Sequence, residues 1–359
     1  MREAIQNIAV GPDRGRDITR DHAQQVLSGL LAGELDEVQA AVFFIALRMK
    51  RESIDEFLGL FDALIEHSET AVAPVDNVIC LADPFDGYVR TVTMTPFLPA
   101  VLAACGHTAV IHGVETVGPK HGVTAHKVYK AAGLPTALDP QQVAAGLKQS
   151  SWAYVDQEHY APSLFKLQNL RDKIIKRTAL TTLERLILPI KGAQASHLVL
   201  GYVHKAYPSI YATVAKAAGY HSVLLLKGVE GGLAPALNKP LRRFFFDSNL
   251  PNDIDAQKQL IESQAMFESP VAGLQLASKE LLDTKFYAKN PVITCLNVGV
   301  AVLNGERNSV TQAARDSLCL SAAHILIAHE SGLTLQSAVE KVQRCLDNGS
   351  ALRCFESFS

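Results

Sequence analysis

The chain has no CxxC pair. Its six cysteines (Cys80, Cys105, Cys295, Cys319, Cys345 and Cys354) are scattered, mostly among apolar or small residues. That argues against a zinc site or a disulfide framework and for buried reduced thiols. No apolar run approaches the roughly 18 residues that a membrane-spanning helix needs, and the opening MREAIQNIAV has no signal-peptide core. A cytoplasmic protein that meets no membrane is expected. A surplus of basic charge is missing too: 34 Lys and Arg stand against 36 Asp and Glu, a net charge of −2. Nucleic-acid binding therefore requires local clustering of cations. Internal repeats and low-complexity tracts are also absent. What remains is an ordinary globular composition, 48% hydrophobic and 19% charged. Its length suits two domains, or a large one with a small satellite.

Residues 17–69 read as successive helices. Thr19 caps the first, Gly33 breaks it, Asp36 leads into the second and Ser53 into a third. Leu27, Leu30 and Leu31, then Val38, Ala41, Phe44 and Ile45, recur at helical spacing and are expected to form the core stripe of a small helical domain. At NVICLA (Asn77 to Ala82) the texture changes to a short apolar run ending in turn residues, as a buried parallel strand does. TPFLPAVLAACG and AHKVYKAAGL read as helices, HTAVIHG and HSVLLLKG as strands running into glycine. LRRFFFD (Leu241 to Asp247) reads as a strand with buried phenylalanines. Residues 309–358 are helical again. The expected class is α/β: a helical domain over residues 1–72, joined by helices from about 163–190, and a larger domain over 73–359 with a mostly parallel central sheet. Ligands of such sheets sit at the carboxyl ends of the strands.

Cations concentrate in two places. Lys166, Arg171, Lys173, Lys176, Arg177, Arg185 and Lys191 lie between Tyr160 and Lys191, against only Asp172 and Glu184. On one helix, Lys166, Lys173 and Arg177 would form a narrow stripe beside an apolar face of Leu164, Leu167, Leu170 and Ile174. Lys120, His121, His126, Lys127 and Lys130 form a second basic segment. His324 and His329 miss the four-residue spacing of a shared helical metal face and read as core and surface.

The order of elements resembles anthranilate phosphoribosyltransferase and its glycosyltransferase relatives, nearly end to end. Gly33-Glu34, Gln39, Ala46 to Lys50, the stretch Ala161 to Thr178, Asn297 and LDNGSAL carry the resemblance. It implies a transfer of ribose phosphate from phosphoribosyl pyrophosphate, which needs a glycine-rich phosphate cradle, carboxylates for magnesium and an acceptor pocket. The family's GTGGDG stands here as Ala82 to Gly87. Asp86 and Gly87 are retained, while Pro84 lacks an amide N–H and Asp83 adds a negative charge. Thr91, Thr93 and Thr95 could still meet a phosphate, or cap a helix. The family's KHGNR falls on Ile111 to Glu115, where only His112 and Gly113 survive. Lys120 matches a phosphate-contacting lysine, and Arg171 the acceptor-binding arginine. The metal-binding Asp-Glu pair falls on Leu233-Ala234 or Ala234-Pro235, none of which carries a side-chain oxygen.

The resemblance thus points to a branch with degenerate catalytic motifs that binds nucleic acid as a homodimer through the helical domain. The expected function is sequence-nonspecific, salt-sensitive binding of DNA or RNA phosphates by Lys166, Arg171, Lys173, Lys176, Arg177, Lys120, His121 and Lys127. Asp83, Asp86, Gly87, Thr91, Thr93, Thr95, His112, Gly113, Lys120 and Arg171 would then be a vestigial phosphate site. No resident metal or cofactor is expected, and magnesium only if phosphoribosyl pyrophosphate still binds. The alternative is a phosphoribosyl or glycosyl transferase for an aromatic or nucleobase acceptor. His112 would then hold or protonate the acceptor, and Lys120 and Arg171 would hold the phosphate.

Overall fold

A computed structural model describes residues 1–11, 13–247, 257–267 and 272–358. Four helices open the chain: α1 (Arg2–Ile8), α2 (Arg20–Leu31), α3 (Glu37–Lys50) and α4 (Ile54–Glu66). Their starts follow local chemistry. Thr19 accepts the His22 N–H, Asp36 accepts those of Val38 and Gln39, and Ser53 with Glu56 forms a capping box. Glu56 is fully buried. It takes the Ile18 N–H at 3.0 Å and the Lys50 ammonium at 2.9 Å, which ties the start of α2 to the end of α3. The expected core stripe needs correction on α3. Its inward residues are Ala40, Phe43, Phe44 and Leu47, whereas Val38 is 71% exposed and Ala41 and Ile45 are only partly buried.

The larger part is built on one sheet. A short parallel pair, β1 (Ala71–Val72) with β5 (Ile190–Lys191), lies apart from it. The seven-stranded sheet comprises β2 (Asn77–Ala82), β3 (Ala109–Gly113), β4 (Trp152–Asp156), β6 (Ala195–Gly201), β7 (Ser222–Leu226), β8 (Leu241–Asp247) and β9 (Lys258–Ile261), in the order β4-β3-β2-β6-β7-β8-β9. The first five strands of that order are parallel, and β8 and β9 are antiparallel. Nearly every residue of β2, β3, β4 and β7 is buried, as expected of strands covered on both faces. Ala82, Gly113, Asp156, Gly201 and Leu226 end the parallel strands along one edge. The antiparallel β8 starts at that same edge.

Helices cover the sheet and link it to the helical domain. These are α5 (Leu98–Ala104), α6 (Ala125–Ala131), α7 (Pro140–Ser150), α8 (Gln157–Tyr160), α9 (Pro162–Phe165), α10 (Gln168–Ile174), α11 (Ala179–Leu183) and α12 (Tyr207–Ala217). Then follow α13 (Lys279–Leu282), α14 (Pro291–Leu303), α15 (Ser309–His329), α16 (Leu335–Asp347) and α17 (Ser350–Glu356). Packing of α10 on α3, and of α11 on α4, joins the two parts. No helix among the described residues is long and apolar enough to cross a membrane.

The single basic helix read from the sequence does not form. The chain turns at Lys166-Leu167 between α9 and α10, and α10 stops where Ile175 adopts a left-handed backbone. Arg177 lies beyond that stop, so Lys166, Lys173 and Arg177 share no helical face.

Candidate functional site at the carboxyl edge of the sheet

The loop that leaves β2 carries two acids, and the structure neutralises both. Asp83 is 7% exposed and accepts the Tyr88 hydroxyl at 2.7 Å. Burial pushes its carboxyl up to about 6, against the Tyr88 hydrogen bond and the charge of Arg185. Asp86 is almost fully buried. It accepts the Arg177 Nε at 3.0 Å, a second Arg177 nitrogen, and the Lys120 ammonium at 3.2 Å. Gly232 keeps this loop closed: a Cβ there would lie 1.6 Å from the Tyr88 hydroxyl oxygen.

A third acid arrives from the loop after β7. The Glu230 carboxylate accepts the backbone N–H groups of Val89, Arg90 and Thr91 at 3.3, 3.1 and 3.0 Å. Its own backbone is left-handed (φ 52°), a strained state for a residue with a Cβ. Converging amides are what an anion-binding loop offers, and here a side chain of the same molecule fills them. Lys120 stands 3.9 Å from Glu230 as well, and its ammonium lies over the Tyr88 ring.

The remaining candidates are drawn inward in the same way. Arg171 does not reach into a cleft. It is buried and forms a two-pronged bond to the buried Glu184 at 2.7 and 2.7 Å, with Gln157 donating to the same carboxylate. Removing one member of such a pair costs about 3–5 kcal/mol, which makes Arg171 part of the frame. Lys173 pairs with Glu37, His121 with Asp172 and Lys130 with Glu115. His126 bonds Asp156 at 2.5 Å. Lys127 donates to the carbonyls of His121 and Gly122 and so holds its own loop. Lys166 and Lys176 are exposed and have no ion pair among the described residues. Thr91, Thr93 and Thr95 are all buried. Thr93 accepts the Thr95 N–H, and the Thr95 hydroxyl lies 3.4 Å from that of Tyr88; neither side chain caps a helix.

His112 sits at the end of β3, 1% exposed, with Gly113 pairing to Asp156 beside it. Its Nδ1 is 3.1 Å from the Tyr160 hydroxyl, the Phe85 ring packs edge-on against it, and Nε2 has no partner. Burial, aided by the Arg185 charge, pushes its pKa down to about 3. The ring is therefore a neutral imidazole near pH 7, not an imidazolium acid.

The sequence reasoning missed a cation cluster on the far side of the same edge. Lys227 follows β7 directly, and its N–H bonds the Arg242 carbonyl of β8. Its ammonium approaches the Val203 carbonyl at 3.4 Å and the Tyr202 ring at 5.9 Å. Burial lowers its pKa, and so do the nearby charges of Arg242, Lys239 and Lys205. Among the described residues none of these four cations has a carboxylate partner. His204 and Tyr207, with ring centroids 6.1 Å apart, flank Lys205. The signal was faint because the residues come from three separate segments. Lys205, Lys227, Lys239 and Arg242 are separated by stretches that no short pattern links.

Comparison with known proteins agrees with this architecture. The helical bundle domain of a glycosyl transferase family matches residues 2–68, and the a/b domain of a glycosyl transferase family matches residues 86–237. Both parts of the chain thus carry domains of a glycosyl transferase family. An uncharacterised protein of Aquifex aeolicus is 28% identical over 231 residues, covering 64% of this chain and 68% of its own length. The uncharacterised protein YbiB of Escherichia coli is 26% identical, covering 64% and 71%. Anthranilate phosphoribosyltransferase of Legionella pneumophila (strain Lens) is 23% identical over 350 residues, covering 95% and 91%. Among solved structures, the Saccharomyces cerevisiae anthranilate phosphoribosyltransferase in complex with PRPP and Mg superposes with a TM-score of 0.76 at 14% identity, covering 99% of this chain and 96% of that one. The Thermus thermophilus enzyme gives 0.72 at 18%, covering 99% and 97%. These likenesses establish the fold.

The magnesium that the family's reaction implies does not fit this glycosyl transferase chain. Leu233 is fully buried and carries only hydrocarbon, as does Ala234 after it. Magnesium takes oxygen ligands. The nearest acids, Asp83, Asp86 and Glu230, are already committed to Tyr88, to Arg177 and Lys120, and to three amides. Among the described residues no group of three His, Cys, Asp or Glu is placed to hold a metal.

The raised Asp83 pKa yields a pH prediction. Its folded value, about 6, exceeds the unfolded value near 4. Its contribution to stability is therefore complete below pH ~4 and is lost as pH rises through ~6. Asp83→Asn keeps the neutral form without titrating. Relative to the parent it should gain about 1–3 kcal/mol between about pH 4 and pH 7.5. Urea midpoints of the two chains measured across that range check this; parallel curves would contradict it.

Proposed function

We propose that this chain binds the phosphate backbone of nucleic acid without reading its sequence, and that it does not transfer ribose phosphate. The observation that carries the reading is the cluster of Lys205, Lys227, Lys239 and Arg242, four cations without an acid partner among the described residues, in a chain of net charge −2. Elsewhere along the same edge, nearly every cation is spent on a carboxylate or a carbonyl. A concentration of unpaired positive charge, partly desolvated at Lys227, is relieved by a polyanion. The partly exposed rings of His204 and Tyr207 beside Lys205 suit the stacking of unpaired bases, which favours a single strand. The cluster also lies where open α/β sheets hold their ligands. The transferase alternative would rest on His112, whose neutral, buried ring weighs against it.

The helical domain supplies a dimer face. Val42 and Met49 are 44% and 72% exposed, and with Ile8, Ile45 and Ile174 they line an apolar groove of about 590 Å³. An exposed apolar stripe of this kind, paired with its own copy about a two-fold axis, supports a homodimer through α1 and α3. Val42→Glu should convert the dimer to a monomer in sedimentation velocity. A parent chain that sediments as a monomer at micromolar concentration would remove this part of the proposal.

The binding reading is tested by anisotropy titration of a short labelled oligothymidylate. With four phosphate contacts, raising salt from about 50 to 200 mM should weaken binding about fiftyfold. The double variant Lys227→Glu/Arg242→Glu should weaken binding at least tenfold and flatten the salt dependence, whereas Lys166→Glu/Lys176→Glu should change it little. Unchanged binding by the first pair, or loss by the second, would place the interface elsewhere.

A further inference from the structure

Five of the six cysteines are buried, and two of them meet across a junction of helices. Cys105 closes α5, and Cys345 lies in the last turn of α16. Their sulfurs are 3.7 Å apart, in van der Waals contact, although 240 positions separate the residues. A bond between them needs an approach to about 2 Å. We infer that Cys105 and Cys345 form a reversible intramolecular disulfide, a redox-modified site formed on exposure to hydroperoxides.

The surroundings divide the roles. Cys345 is the more accessible of the two, 9% exposed against 6% for Cys105. The hydrogen bond from Cys105 holds its thiol below the ordinary range, helped by Ser350 and by the charges of Lys341 and Arg344, against burial. Lys341 is fixed in place by Glu330, at 2.7 and 3.0 Å, and Glu330 in turn meets His107 at 2.7 Å. The same hydrogen bond, with burial, raises Cys105, which stays a thiol. Cys80, Cys295 and Cys319 are pushed up to about 12 by burial and are inert. Cys354 on α17 is nearby, and burial raises it too.

The chemistry runs in two balanced steps. The Cys345 thiolate attacks the peroxide oxygen. The O–O bond breaks, sulfenic acid forms, and the alkoxide leaves as an alcohol after taking a proton. The Cys105 sulfur then attacks the sulfenic sulfur and expels the hydroxyl, which departs as water with the Cys105 proton. One hydroperoxide is reduced and two thiols are oxidised to one disulfide. The bond ties the helix that follows the residue 83–97 segment to the C-terminal helices, closing a very long loop, and it should raise the melting temperature by several degrees until a dithiol reduces it.

The test treats the full chain with sub-millimolar hydrogen peroxide and maps peptides without reduction. The expected product is two hydrogens lighter, joins the Cys105 peptide to the Cys345 peptide, melts several degrees higher and reverts with dithiothreitol. Cys354→Ser should leave the cross-link intact. Cys105→Ser should abolish it and leave a Cys345 sulfenic acid that a dione probe captures. A parent chain in which Cys345 passes to sulfinic acid while Cys105 still alkylates overturns the inference. So does a cross-link running from Cys345 to Cys354.

Discussion

The carboxylate of Glu230, seated on three consecutive backbone N–H groups at residues 89–91, organises the carboxyl edge of the sheet. A carboxylate on converging amides is held by several hydrogen bonds at once, and a covalently tethered one competes with any diffusing phosphate at high local concentration. Glu230 accepts a left-handed backbone to reach that position. Once it is there, the loop after β2 is fastened to the loop after β7. Lys120 is held between Glu230 and Asp86, and Arg177 completes the neutralisation of Asp86. The fold is retained, and three converging amides at its carboxyl edge are occupied from within.

That internal neutralisation explains why most of the basic residues that stand out in the sequence, Lys166 and Lys176 excepted, are not free. Arg171, Lys173, Arg177, Lys120 and Lys130 each have a carboxylate within reach, and for the Arg171–Glu184 pair the burial of both partners makes the interaction structural. Four cations without a carboxylate partner among the described residues gather where β7, β8 and the loop after β6 meet. Like charges placed together cost stability in the unliganded chain, and such costs are typical of sites that act on something else. The lowered pKa of Lys227, set by burial and by Arg242, Lys239 and Lys205, records that cost.

Much of this was legible from the sequence, and the exceptions have definite causes. Thr19, Asp36 and Ser53 announce their helices because capping is local chemistry. NVICLA, HTAVIHG and HSVLLLKG announce strands because buried parallel strands are nearly all apolar. The Lys166, Lys173 and Arg177 stripe failed because periodicity assumes an unbroken helix, and this chain turns at Lys166-Leu167 and stops at Ile175. On α3 the spacing was right but the phase was not, since Val38 and Val42 are as apolar as the residues that face the core. Glu230, the four-cation cluster and the Cys105–Cys345 contact are products of topology, which joins segments that no short-range pattern connects.

In the proposed reading, Glu230 fills the three edge amides suited to an anion, and a polyanion is bound instead by the Lys227 cluster. Calorimetric titration of one preparation, first with phosphoribosyl pyrophosphate plus magnesium and then with a short single-stranded oligonucleotide at low salt, tests this most directly. The account predicts no magnesium-dependent heat from the first ligand and saturable binding of the second. Saturable, magnesium-dependent binding of phosphoribosyl pyrophosphate by a chain that ignores the oligonucleotide would contradict it.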